Sequence, residues 1–236
     1  MKTTILLSLV LGGGTLFAAP CTNTTLDNYI GNGFTCTIDQ FTFKNFFFNV
    51  VTSSGIAPIA ASAISVLPAV TATPNGDLLG LTFNSTGFRV GAGQAVTYDI
   101  RYNVDPQPDI IIEATDQLGT NTPVAPGTAD VLTKLCVGGQ WLGTTPSCDV
   151  TGGSQALTVF HHGTPTGNQL SSFITFAGVS RIGWDNYISL NGGAGGSSSI
   201  TGITNTTYTV PEPASVFLFL SGAALLGARR LRPKVG

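Results

Sequence analysis

The chain has 236 residues, room for one domain of ordinary size plus flanking segments. Its 30 glycines and 13 prolines follow no period, which excludes collagen, and 42% hydrophobic with only 9% charged residues is the opposite of a disordered composition. The formal charge of −2 hides an acidic body: five of the ten cations and eleven of the twelve acids lie between the two ends, and without a basic patch this argues against nucleic acid as a partner.

Residues 1–19 read as a signal peptide for the Sec machinery. Lys2 supplies a positive start, Ile5 to Val10 with Leu11, Leu16 and Phe17 an apolar stretch, and Ala18 and Ala19 the small residues before a cut. Cys21 follows Pro20, where a lipoprotein signal would want a small residue.

Residues 20–209 read as an all-β ectodomain, an antiparallel β-sandwich. Phe41 to Phe46 begins in alternation, and Phe46-Phe47-Phe48 breaks it. Val96 to Val104 alternates throughout, with Val96, Tyr98, Ile100, Tyr102 and Val104 on one face and polar or charged residues on the other. Further strands are predicted over 63–67, 79–83, 110–114, 156–160, 172–176 and 186–190. Turn signals separate them, such as Pro74-Asn75-Gly76 and Asn191-Gly192-Gly193. A single helical turn is predicted near Thr25 to Ile30. Many short strands with Gly-rich turns point to a sandwich.

The four cysteines fall into two local pairs, Cys21 with Cys36 and Cys136 with Cys148. An even count in an exported chain reads as disulfides. Three connectivities are possible; neighbour pairing is expected, each bridge contributing about 3 kcal/mol in the chain-entropy model. A zinc site would use the same cysteines, but no C-x-x-C spacing supports it.

The end of the chain carries Val210-Pro211-Glu212-Pro213, then an uncharged, mostly apolar stretch over 214–228, then Arg229, Arg230, Arg232 and Lys234. As a helix the stretch would be about 22 Å long against a hydrocarbon core of roughly 30 Å. The cation cluster behind it is the pattern that stays cytoplasmic. A transmembrane helix over 214–228 is therefore expected. Proline-glutamate-proline, short apolar helix and terminal Arg229-Arg230 together resemble the PEP-CTERM sorting signal, a tail also labelled an ice-binding protein C-terminal domain. The resemblance implies a sorting segment over 210–236, read by an exosortase in the cytoplasmic membrane, with transient inner-membrane anchoring and then a cell-surface or extracellular destination among exopolysaccharide. Gly80-Leu81-Thr82-Phe83, then Phe88 to Gln94, then Tyr98 to Val104, and the later Ile188 to Gly193, resemble the body of some PEP-CTERM proteins of unknown function, which implies no activity.

No catalytic constellation stands out, and no cofactor or metal is expected. His161 and His162 are strand neighbours, which point to opposite faces and do not chelate one ion from a regular strand. A serine hydrolase would need an activated Ser beside one of them, and no G-x-S-x-G is present. A glycosidase would need two carboxylates flanking a sugar. Asp99, Asp105, Asp109, Glu113 and Asp116 are available but read as solvated strand faces. Asp105, Asp109 and Glu113 also offer oxygen ligands for calcium, without a recognisable loop. Trp141, Trp184 and Tyr187 are the candidates for stacking on sugar rings, with Trp184 and Tyr187 the most suggestive pair. The expected function is an exosortase-processed, non-enzymatic structural or adhesive surface protein. The alternatives are a carbohydrate-binding module acting in exopolysaccharide and a secreted hydrolase.

Overall fold

Strand formation follows the period-two pattern of apolar residues, and the chain folds into two main, predominantly antiparallel sheets packed through one core. The structure, a computed structural model, describes residues 18–31, 33–73, 76–106, 110–120, 123–142, 147–163 and 168–210. In chain order the strands are β1 (Ala19–Pro20), β2 (Thr24–Thr25), β3 (Thr35–Ile38), β4 (Phe41–Ser54), β5 (Ser65–Thr73), β6 (Gly76–Asn84), β7 (Arg89–Val90), β8 (Ala95–Pro106) and β9 (Ile110–Leu118). They continue with β10 (Thr128–Val137), β11 (Trp141–Leu142), β12 (Ser147–Cys148), β13 (Ser154–His162), β14 (Ser171–Val179), β15 (Ile182–Asn191), β16 (Ser198–Ser199) and β17 (Gly202–Val210). A seven-stranded sheet runs β1-β3-β4-β8-β15-β10-β13, and a six-stranded sheet runs β14-β9-β17-β6-β5-β2.

The predicted strand over 96–104 is β8, at the middle of the larger sheet. Tyr98, Ile100, Tyr102 and Val104 are all buried inward and meet Leu79, Leu81 and Phe83 of β6 in the opposite sheet as one core. Phe83 packs on Tyr102 with ring centroids 5.6 Å apart. The one α-helix among the described residues is α1 (Leu26–Tyr29), the turn predicted there.

The break in the Phe46-Phe47-Phe48 pattern is a β-bulge. Lys44 pairs with Asn103 and Phe47 with Arg101, so Asn45 and Phe46 together oppose Tyr102. Asn45 takes φ 57°, the left-handed conformation that Asn tolerates better than other side chains. The extra residue shifts the alternation. Phe41 and Phe43 face inward before it, Phe46 faces inward after it, and Phe47 is delivered to the outer face.

Both expected disulfides are present, Cys21–Cys36 and Cys136–Cys148. The first ties the chain after β1 to β3, the strand beside which Ala19 and Pro20 pair in parallel. The second closes the loop that carries β11 and β12.

The expected transmembrane helix requires correction. Among the described residues no helix is long and apolar enough to cross a membrane. Val210 closes β17 as a strand residue. Pro211, Glu212, Pro213, the stretch 214–228, Arg229 and Arg230 lie outside the described residues, as do residues 1–17 of the expected leader. The physical weakness was already in the numbers, since fifteen residues of helix fall short of a hydrocarbon core. With no such helix among the described residues, the inner-membrane anchoring, the exosortase partnership and the anchored-then-surface destination lose their structural premise.

Candidate functional site

The outer face of the seven-stranded sheet concentrates the unusual chemistry of the molecule. Antiparallel register sets its side chains in rows. Phe47, Arg101, Asp185 and Lys134 stand side by side on β4, β8, β15 and β10. The next row is Asn49, Asp99, Tyr187 and Leu132 on the same four strands. Charge alternates along the first row, as opposite-charge neighbours favour.

Arg101 is the hub. It is 3% exposed although it points away from the core. Phe47 covers it, with the guanidinium carbon 3.8 Å from the ring centroid. Its Nε donates to Asp99 Oδ1 at 3.1 Å and lies 3.9 Å from Asp185 Oδ1. Asp185 is fully buried, and among the described residues no donor reaches either of its carboxyl oxygens. Burial first, and then the adjacent Asp99 carboxyl, raise the pKa of Asp185, while Arg101 and Lys134 pull it back. Lys134 sits 4.6 Å from the Tyr187 ring centroid, and burial together with Asp185 and Asp99 raises the Tyr187 hydroxyl. Phe47 and Tyr187 are both half-buried, two strands and one row apart, roughly 10 Å by strand spacing.

One end of this face is walled by the second disulfide loop. Trp141 donates its backbone N–H to Asn103 Oδ1 at 3.0 Å and packs on Gly183. A Cβ at Gly183 would stand 2.8 Å from Trp141 Cδ1, so the glycine is what lets the loop seat. Asp105, further along β8, is held by Lys44 and by Arg181 Nε at 2.7 Å.

A second polar constellation lies inside the sandwich. Tyr102 donates to Asn205 Oδ1 at 3.2 Å, Asn205 Nδ2 donates to Asp116 Oδ1 at 3.0 Å, and Thr133 Oγ1 lies 2.6 Å from Asp116 Oδ2. Thr133 Oγ1 is also 2.8 Å from Asn186 Oδ1, and Asn186 Nδ2 donates to the Ile100 carbonyl at 3.2 Å. A hydroxyl has one proton to give. Both Thr133 contacts are satisfied at once when Asp116 is protonated, donates to Thr133, and Thr133 donates to Asn186. Burial pushes Asp116 up to about 7, against the lowering by its hydrogen bonds to Thr133, Gln117 and Asn205. This chain cross-links the two sheets through the core.

The sequence-predicted stacking residues do not share a face. Trp184 points inward, is 1% exposed and stacks on Tyr102 at 6.1 Å and 8°. Tyr187, three residues on along β15, has the opposite parity and stands outside. Trp141 is on the outer side but only 8% exposed. His162 accompanies Asp130 on the outer face, 2.8 Å apart, and His161 has the other parity. Cys136 and Cys148 lie close to Asp149 but are bonded to each other, so they are not thiolate ligands. Glu113 accepts from Thr115 within β9, and Asp109 lies outside the described residues. Phe47, Arg101, Asp185 and Lys134 were not singled out from sequence. The broken alternation at Phe46-Phe47-Phe48 was the available signal for Phe47.

No protein-family model matches the chain, and no curated protein matches it. Among solved structures, one described as TmCBM61 in complex with β-1,4-galactotriose is 12% identical with a TM-score of 0.33, over 71% of this chain and 88% of that one. The enzymatically active domain of tailspike protein 4 of bacteriophage CBA120 is 12% identical with a TM-score of 0.27, over 70% of this chain and 19% of that one. Likenesses at this level establish neither a common fold nor an activity, and one of the two proteins is described by its bound sugar, the other as an enzyme. The expectation of an exosortase-processed structural or adhesive sandwich is corrected as well, since its membrane-spanning helix is not found among the described residues.

Proposed function

We propose that the protein binds carbohydrate, without turnover, on the outer face of its seven-stranded sheet. The observation that carries this reading is Phe47 laid over the buried Arg101 guanidinium, with Tyr187 two strands away and Lys134 set against the Tyr187 ring from the strand beyond. A ring held by a cation beneath it is fixed in orientation at little entropic cost when a sugar stacks on it. Two such rings spaced across strands serve different sugar units of one chain. Asn49, exposed beside them, supplies hydrogen bonds to hydroxyls.

The same geometry speaks against hydrolysis. Asp99 and Asp185 both lie against the Arg101 guanidinium, at 3.1 and 3.9 Å from its Nε, under the Phe47 ring and closed off from solvent, rather than flanking an open cleft as the two carboxyls of a glycosidase do. Asp105 is committed to Lys44 and Arg181.

The test is a glycan array followed by titration of the hits against Phe47→Ala and Tyr187→Ala. Each variant is expected to lose binding by about tenfold or more, in line with stacking contributions of about 1–3 kcal/mol per ring, with circular dichroism unchanged. Hits that bind both variants as tightly as the wild type would move the site elsewhere. Hydrolysis of any array glycan would refute the non-enzymatic reading.

A further inference from the structure

The loop end of the sandwich carries a separate feature. β7 and β16 pair there as a two-stranded ribbon, with Ser198 opposite Val90 and Ser199 opposite Arg89. Two hollows of about 520 and 510 Å³ open around it, and Arg89 lines both. Each is in the range of small-ligand sites, roughly 300–1,000 Å³. No carboxylate lines either hollow. Arg89 is exposed and forms no ion pair among the described residues.

The second hollow holds an independent sign of a missing partner. Ser198 is 1% exposed, lines this hollow, and its Oγ has no hydrogen-bond partner among the described residues. Buried hydroxyls are nearly always paired, so an unpaired one in a cavity wall marks where a ligand atom belongs. Gln94, the other polar side chain there with reach, is committed: Oε1 accepts from the Gly91 N–H at 2.7 Å and Nε2 donates to the Gly55 carbonyl at 3.0 Å. Ile56, Val90 and Val124 form the apolar wall. The chemistry on offer is thus one guanidinium fork, the hydroxyl-bearing side chains of Ser197, Ser198 and Ser199, and an apolar side.

We propose that this hollow binds a carboxylate-bearing sugar, an isolated uronate of an otherwise neutral glycan. Arg89 takes the planar carboxylate in its fork, Ser198 pairs with a ring hydroxyl, and Ile56 and Val124 cover a C–H face of the sugar. One cation matches one negative charge. The acidic body of the chain repels a polyanion. The sugar half of this assignment rests on the glycan reading above, whereas the carboxylate half stands on Arg89 alone.

The experiment is a titration of the isotope-labelled chain with methyl β-glucuronide, methyl β-glucoside and acetate, followed by amide and arginine Nε–H resonances. The glucuronide is expected to shift the Arg89 Nε–H and the amides of Ser198 and Ser199, and to bind at least about tenfold tighter than either control. Arg89→Gln should abolish these shifts. Ser198→Ala, a near-isosteric change, should weaken glucuronide about tenfold while leaving acetate unaffected. Phe47→Ala should bind glucuronide as the wild type does, which separates this hollow from the outer-face platform. Equal affinity for glucoside, equal affinity for acetate, shifts that map away from Arg89, or unaltered binding by Arg89→Gln would each overturn the proposal. A platform that fails every neutral glycan while the Arg89 shifts persist would sink the outer-face reading and leave this one standing.

Discussion

Phe47 and Arg101 face each other across neighbouring strands, ring over guanidinium at 3.8 Å, only because the chain gains one residue at Asn45. Without that bulge the alternation set by Phe41 and Phe43 would turn Phe47 into the core and leave Phe46 outside. The outer-face platform is therefore a consequence of one left-handed residue.

Asn45→Val is expected to destabilise the fold by about 1–2 kcal/mol, because a β-branched residue resists positive φ. Asn45→Gly, free of that penalty, should cost little. Denaturant midpoints check the stability, and glycan affinity should fall with Asn45→Val in the same preparation.

Arg101→Met should cost about 3–5 kcal/mol, since it leaves Asp99 and Asp185 buried without their shared cation. Adding Asp99→Asn and Asp185→Asn should restore much of the loss. A triple variant no more stable than Arg101→Met would show that Arg101 acts through packing under Phe47 and not through charge.

The sequence pattern located most strands because their inward faces are apolar, as in β8. It passed over β17, a central strand of its sheet, because three of its inward residues are Asn205, Thr207 and Thr209, all buried. It passed over β10 for a related reason: Thr133 faces inward and Leu132 outward, which blurs the alternation. Asn205 and Thr133 belong to the Asp116 cross-link, so part of what hid the two strands is a feature of the core chemistry. The stacking residues were misread by parity. Trp184 and Tyr187 are close in sequence, but an odd spacing on a strand puts them on opposite faces.

Cys136→Ala with Cys148→Ala should lower stability by about 3 kcal/mol through the loosened loop. Gly183→Ala should disturb the same loop with the bridge intact, since the added methyl would meet Trp141 Cδ1 and Asn103 Oδ1, each at 2.8 Å. Tryptophan fluorescence reports both changes through Trp141. Wild-type emission and midpoint in Gly183→Ala would show that the loop is not seated on this glycine.

Asp116 makes stability fall as pH rises. Its folded pKa is pushed up to about 7 by burial, whereas an unfolded chain titrates near the ordinary aspartate value of about 3.9. Between these values the folded state holds a proton that the unfolded state has lost. The contribution is then fully present below pH ~4, is lost progressively up to about 7, and is flat above; at about 1.36 kcal/mol per pKa unit it amounts to about 4 kcal/mol. Asp185 is raised by burial and by Asp99, so it acts with the same sign. Asp116→Asn replaces the protonated carboxyl by a group that still accepts from Asn205 and donates to Thr133. It should match the wild type near pH 4 and exceed it near pH 8, with a flatter stability profile between. Urea midpoints measured across that range decide the matter: a wild type that gains stability from pH 4 to 7, or an unchanged slope in Asp116→Asn, would mean that Asp116 is ionised in the core.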